Sequence, residues 1–244
     1  MSGAVIIGVG PGIGRSVALR FAREGLPVVL VARSEAVLRS VAGEVEAAGA
    51  TAVPLTADST RETELRSVLD RAADRLGAPD VVVHNAALVR PDAVGELSAA
   101  QLVETWAVNV GGAYVAAGHV LPGMAQRGSG TFLVTGGMPE PKPGYVSLSL
   151  GKAGLRTLVE VLDLAYGPSG VHVASVTPDG DVVVGTALDP DVIAEEYWRL
   201  HAQAKGSWER EVVLGPGGSG PGGSGPGGSG PGGSGKPHSR PERP

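Results

Sequence analysis

Residues 4–14 read Ala4-Val5-Ile6-Ile7-Gly8-Val9-Gly10-Pro11-Gly12-Ile13-Gly14, and the fold follows from them. An apolar run rich in β-branched residues makes a buried strand, the glycines make a tight turn, and Val17, Ala18, Phe21 and Ala22 continue at helical spacing. A strand, a glycine-rich turn and a helix in that order bring several backbone N–H groups and the positive end of a helix to one point. Such a point suits a pyrophosphate, so Gly8, Gly10, Pro11, Gly12, Ile13 and Gly14 are expected to hold a dinucleotide. The commonest glycine spacing for that task, G-x-G-x-x-G/A counted from Gly8, ends on Ile13, which is too large for close strand–helix packing. The spacing G-x-x-x-G-x-G is met instead by Gly8, Gly12 and Gly14.

The chain has 244 residues, enough for one α/β domain with a substantial core. That domain is expected over residues 1–214. From Gly215 the unit Gly-Pro-Gly-Gly-Ser runs four times through Ser234; it has neither apolar residues nor a strict Gly-X-Y period, so 215–244 reads as a disordered tail. The absence of cysteine excludes disulfides, cysteine-ligated zinc and thiol catalysis. His84, His119, His172, His201 and His238 never fall at short ligand spacing, so no metal site is expected. Net charge is −5, and since the tail carries Lys236, Arg240 and Arg243 against Glu242, the domain stands at −7. An acidic surface argues against nucleic acid and anionic membrane as partners. The first apolar run is too short to span a membrane and follows no basic segment, which points to a cytoplasmic protein.

Further apolar runs at 27–32, 51–55, 80–84, 131–135, 170–176 and 208–214 alternate with helical patterns at 35–48, 60–76, 99–124 and 190–204. Alternation of this kind builds a doubly wound parallel sheet of about seven strands, a Rossmann fold, with its ligand at the carboxyl edge. The second strand ends at Arg33-Ser34. Folds of this type that prefer NAD place an acidic residue there for the ribose hydroxyls; Arg33 offers planar donors to a 2′-phosphate instead, and Ser34 adds a hydroxyl. NADP(H) is therefore expected over NAD(H).

The glycine spacing, the order of strands, the turn Asn85-Ala86-Ala87, the piece Val108-Asn109-Val110, Lys152 and Pro178 together resemble the short-chain dehydrogenase/reductase family over residues 1–214. The resemblance places Asp58 and Ser59 beside the adenine, with a helix cap as the competing use of Asp58. It sets Asn85, Ala86 and Ala87 against the adenine ribose, with His84 as a strand-end residue. It gives Asn109 a helix kink and a water in a proton relay, gives Lys152 the nicotinamide ribose hydroxyls, and implies a small-molecule substrate and a homo-oligomer, dimer or tetramer.

The family also has a serine after the fifth strand and a tyrosine four residues before the lysine, whose phenol passes a proton during hydride transfer. Here the chain reads Val134-Thr135-Gly136-Gly137, and Leu148 stands four before Lys152. Leucine cannot move a proton. Thr135, Ser149 and Tyr145 are the hydroxyls near enough in sequence to be candidates; Ser149 is three before Lys152, hence on its helix face, and Pro141 and Pro143 set Tyr145 on a loop over the pocket. The segment 181–188 leaves little room for a lid, and Tyr197 and Trp198 read as the buried stripe of an amphipathic helix. A divergent bacterial group in the family is similar in its Gly-Pro-Gly-hydrophobic-Gly turn, its missing tyrosine and its acidic helix ending in Tyr-Trp. Three functions stay open: an atypical NADP(H)-dependent oxidoreductase, a non-redox cyclase, isomerase or eliminating enzyme in the same pocket, and a non-catalytic NADP(H)-binding homologue.

Overall fold

The computed structural model describes residues 3–215 and 218–221. Seven strands, β1 (Ala4–Ile7), β2 (Val28–Ala32), β3 (Ala52–Thr56), β4 (Val81–His84), β5 (Gly130–Thr135), β6 (Val171–Pro178) and β7 (Glu211–Gly215), form a parallel sheet in the order β3-β2-β1-β4-β5-β6-β7. Crossovers run both ways from β1, so β1 and β4 lie side by side and the chain diverges above them. In such sheets the ligand crevice opens at that point.

The helices α1 (Ile13–Arg23), α2 (Glu35–Ala47) and α7 (Pro190–His201) cover one face, and α3 (Glu62–Leu76), α5 (Gly112–Arg127) and α6 (Val146–Tyr166) the other. Because side chains alternate along a strand, Ala4 and Ile6 join the first core with Phe21, Leu38 and Leu200, while Val5 and Ile7 join the second with Leu65, Leu121 and Leu155. Pro54 sits on β3, an edge strand, where its missing N–H costs no ladder bond.

Two elements depart from the sequence reading. The pattern over 99–124 is not one helix: α4 (Ala99–Trp106), started by a Ser98–Gln101 capping box, passes through a π-helical turn, Ala107–Gly111, into α5, which ends at the left-handed Gly128. The tail also begins later than expected, since Gly215 belongs to β7 and Gly218–Pro221 adds an antiparallel strand, β8, at its edge. A glycine-rich repeat gives no strand signal, and only the open edge of β7 creates that pairing. Residues 216–217 and 222–244 of the expected tail lie outside the described residues.

Candidate dinucleotide site and active site

The glycine turn bridges β1 and α1, and its first two amides, Gly8 and Val9, donate to the Val31 carbonyl at 2.9 and 3.1 Å. Gly8 has φ +92°, and a Cβ there would collide with the Ala86 backbone; a Cβ on Gly14 would lie 2.6 Å from the Gly8 carbonyl. Those two glycines let α1 sit close to β1 and β4. Gly10 and Gly12 are different: a Cβ on either meets nothing within 4 Å. Gly12 is the N-cap of α1 and no side chain caps the helix, so its first amides and its positive end face an open cradle. The residues present fit a pyrophosphate.

On one side of the cradle a cavity of about 520 Å³ is lined by Gly8, Gly10, Arg33, Ser34, Asp58, Ser59, Asn85, Ala86 and Ala87 among others. Arg33 is exposed at its rim and, among the described residues, makes no ion pair. Ser34 caps α2, accepting from the Val37 amide at 3.4 Å, and its own hydrogen remains for an acceptor above. Asp58 is held by the Thr60 amide and hydroxyl at 2.9 and 2.8 Å; the amide bond chiefly lowers its pKa, with Arg33 and Arg61 adding to the effect. These bonds form a turn ahead of α3, whose N-cap is Arg61 and not the expected Asp58; they take one carboxylate oxygen, Oδ1, and leave Oδ2. Asn85 donates Nδ2 to the Gly8 carbonyl at 2.8 Å, locking the turn after β4 to the glycine turn.

On the other side a second cavity, about 490 Å³, shares Asn85 and Ala87 with the first and is lined by Gly12, Thr135, Gly137, Tyr145, Leu148, Lys152 and Pro178 among others. Lys152 is buried, with Nζ donating to the Thr135 carbonyl at 2.7 Å, and burial pulls its pKa down to about 8. Tyr145 is the residue just before α6 and faces this cavity. The other candidate hydroxyls are occupied. Ser149 Oγ accepts from the Lys142 amide at 3.0 Å and does not line the cavity; sharing a helix side with Lys152 does not fix its rotamer direction. Thr135 Oγ1 bonds Asn85 Oδ1 and the Tyr197 hydroxyl at 2.7 and 2.6 Å. Asn109 lies in the π turn, fully buried, with Oδ1 accepting from the Leu88 amide at 2.9 Å and Nδ2 donating to its carbonyl at 3.3 Å. Its side chain ties the helix to the loop after β4, so any relay water would have to use its backbone.

With this geometry in place, a family model described as short chain dehydrogenase matches residues 2–193. The chain belongs to the short-chain dehydrogenase/reductase family. A short-chain dehydrogenase/reductase of Armillaria gallica is 30% identical over 180 residues, 72% of this chain and 69% of that one. Glucose 1-dehydrogenase of Gluconobacter oxydans is 29% identical over 178 residues, 71% and 67% of the two chains. Among solved structures, an alcohol dehydrogenase of Thermococcus sibiricus complexed with 5-hydroxy-NADP gives a TM-score of 0.80 at 27% identity, covering 88% of this chain and 96% of that one. A metagenomic short-chain oxidoreductase in complex with NADP gives 0.81 at 27% identity over the same shares.

Within this short-chain dehydrogenase/reductase the structure adds residues that the sequence did not single out. Met138 lines the second cavity with φ +47°. Its carbonyl accepts from Arg156 Nη2 at 3.2 Å, and Glu211, itself 2.6 Å from Thr177 Oγ1, faces Arg156. Asp179 and Asp181 stand at the mouth. His84, as expected, ends β4, buried with neither ring nitrogen bonded and with burial holding its pKa down to about 3. No local pattern announces a left-handed methionine; only the Thr177-Pro178-Asp179-Gly180 turn could have pointed to Asp179.

Proposed function

We propose that this protein is an NADP(H)-dependent oxidoreductase acting on a small organic substrate without the phenolic acid usual in its family. The observation that carries the reading is the cradle at Gly10 and Gly12, open where a Cβ would stand and backed by an uncapped helix end, in one groove with the buried Lys152 ammonium. NADP(H), when bound, supplies the hydride acceptor or donor. Gly10, Gly12, Ile13 and the first turn of α1 receive its pyrophosphate; Arg33 and Ser34 take the 2′-phosphate; Asp58 and Ser59 flank the adenine; Asn85, Ala86 and Ala87 shape the ribose contact; Lys152 and Pro178 hold the nicotinamide end. The complexes of the Thermococcus and metagenomic relatives, whose ligands are NADP or a derivative, support this choice of cofactor.

Leu148 leaves the proton to another group: Tyr145 at the cavity wall, Lys152, water, or the substrate itself. Thr135 and Ser149, with hydroxyls already bonded, serve the architecture, and Asn109 orders the loop at Leu88. Fixing two reactants in register is worth several kcal/mol by itself, so hydride transfer persists without a dedicated acid. The reading includes a homo-oligomer, supported by exposed apolar side chains on α4, α5 and α6. Incubating the chain with NADPH and a panel of carbonyl and imine compounds, while following the absorbance of reduced nicotinamide, tests it: oxidation with at least one class is expected. Tight NADPH binding with no turnover across the panel overturns the redox assignment in favour of the second reading, a non-redox or non-catalytic NADP(H) binder, which the commitment of the Thr135 hydroxyl to Asn85 and Tyr197 favours.

A further inference from the structure

Beneath the groove, on the α7 side of the sheet, Tyr197 is fully buried in an apolar core, at 0% exposure. Its hydroxyl nevertheless lies 2.6 Å from Thr135 Oγ1; Thr135 Oγ1 lies 2.7 Å from Asn85 Oδ1, and Asn85 Nδ2 lies 2.8 Å from the Gly8 carbonyl. These residues come from α7, β5, the turn after β4 and the glycine turn, and directly bonded partners are separated by 50 to 77 positions.

Chemistry fixes the direction of each bond. The Gly8 carbonyl can only accept, so the Asn85 amide nitrogen donates to it. That orientation presents Oδ1, an acceptor only, to Thr135, which must spend its single hydrogen there. Thr135 oxygen then has lone pairs to offer and no proton, so the Tyr197 hydroxyl is the donor. Flipping Asn85 would set its oxygen against the Gly8 oxygen and lose the arrangement. Burial pushes the Tyr197 phenol well above its ordinary range, so it keeps the hydrogen from which the series starts. The Thr135 carbonyl meanwhile accepts from Lys152 Nζ. One threonine therefore joins the buried phenol to both halves of the groove.

Packing alone does not ask for this hydroxyl. Phenylalanine would fill the same apolar space, whereas a buried phenol costs free energy unless its hydrogen bond is made. We propose that Tyr197 is a positioning residue for the dinucleotide site: from under the sheet its hydroxyl orients Thr135 and Asn85, and through Asn85 it sets the glycine turn that receives the pyrophosphate. The proposal rests on the reading that the groove holds NADP(H). Bonds in such a series polarise one another, so loss of the first donor loosens the last acceptor.

The test is the affinity of the full chain for NADPH, by titration calorimetry, in wild type, Tyr197→Phe, Asn85→Ala and the double variant, with thermal midpoints alongside. Tyr197→Phe is expected to raise Kd roughly three- to tenfold, the size of one lost hydrogen bond. Asn85→Ala is expected to raise it at least as much, and the double variant no further than Asn85→Ala alone, since both act through one series. Thr135→Val keeps the β-branched shape, deletes the relaying hydroxyl and should match Tyr197→Phe; it carries the test if the α7 variant does not fold. A Tyr197→Phe affinity within twofold of wild type, or single effects that multiply in the double variant, overturns the positioning role, because a role in stability alone lowers the midpoint without coupling to Asn85. Wild-type protein that binds no NADPH overturns the cofactor reading as well.

Discussion

The charge of Lys152 is the residue-scale quantity that most governs the site. Its ammonium is buried and its pKa sits near 8 against 10.5 for a free lysine. An anionic dinucleotide binds best while the ammonium is charged, so NADPH affinity should fall as pH rises through about 8, and Lys152→Met should weaken binding roughly tenfold at neutral pH and abolish that dependence; calorimetry at several pH values measures both. Stability runs the opposite way. Between about 8 and 10.5 the unfolded chain holds the proton and the folded chain does not, so the free protein should gain stability across that window relative to Lys152→Met, read from thermal midpoints. At the other end of the groove, Arg33→Asp replaces a cation at the 2′-phosphate by an acceptor for ribose hydroxyls. It should raise the Kd for NADPH by roughly ten- to a hundredfold and tighten NADH; equal preference for NADPH before and after the change removes Arg33 from the site. Arg33, Lys152 and Leu148 were legible in the sequence because each is read from its place at a strand end or on a helix. Which hydroxyls stay free was not: Ser149 bonds the Lys142 amide, and Thr135, though it lines the groove, is held by Asn85 and Tyr197, 50 and 62 positions away.

At the scale of elements, α6 is held against α4 and the π turn by two glycines. A Cβ on Gly151 would lie 2.9 Å from Asn109 Cβ, and one on Gly154 would strike the Trp106 ring. Both contacts are side-chain-to-backbone approaches that place Lys152 at its depth. Gly154→Ala should therefore destabilise the protein by roughly 1–3 kcal/mol through overpacking, despite alanine's better helix propensity. Gly118→Ala, on the exposed side of α5 where a Cβ meets nothing within 4 Å, should instead stabilise by up to about 1 kcal/mol. Chemical denaturation of both variants checks the pair, and destabilisation of equal size in each would exclude crowding as the cause. The pattern over 99–124 concealed the π turn because an apolar period continues through it; the extra residue is accommodated only where Asn109 finds Leu88.

At the scale of the molecule, the described surface carries Val103, Trp106, Tyr114, Leu150, Val161 and Leu164 exposed on α4, α5 and α6. Large apolar side chains gathered on neighbouring helices call for cover. Light scattering on the purified chain should give a mass of at least two copies, and Tyr114→Glu with Leu164→Glu should reduce it; a wild-type monomer at micromolar concentration overturns the oligomer. No helix among the described residues is long and apolar enough to cross a membrane.

Sequence alone determined what is local: the strand–turn–helix at Gly8–Gly14, the alternation that makes a parallel doubly wound sheet, the arginine following the second strand, and a leucine four residues before Lys152. Each follows from periodicity, backbone freedom or side-chain chemistry within a few residues. Tertiary structure decided the rest. The occupation of the Thr135 hydroxyl and the reach of Tyr197 through Thr135 to Asn85 and Gly8 arise when residues tens of positions apart are buried together, where an unpaired polar atom is too costly to leave.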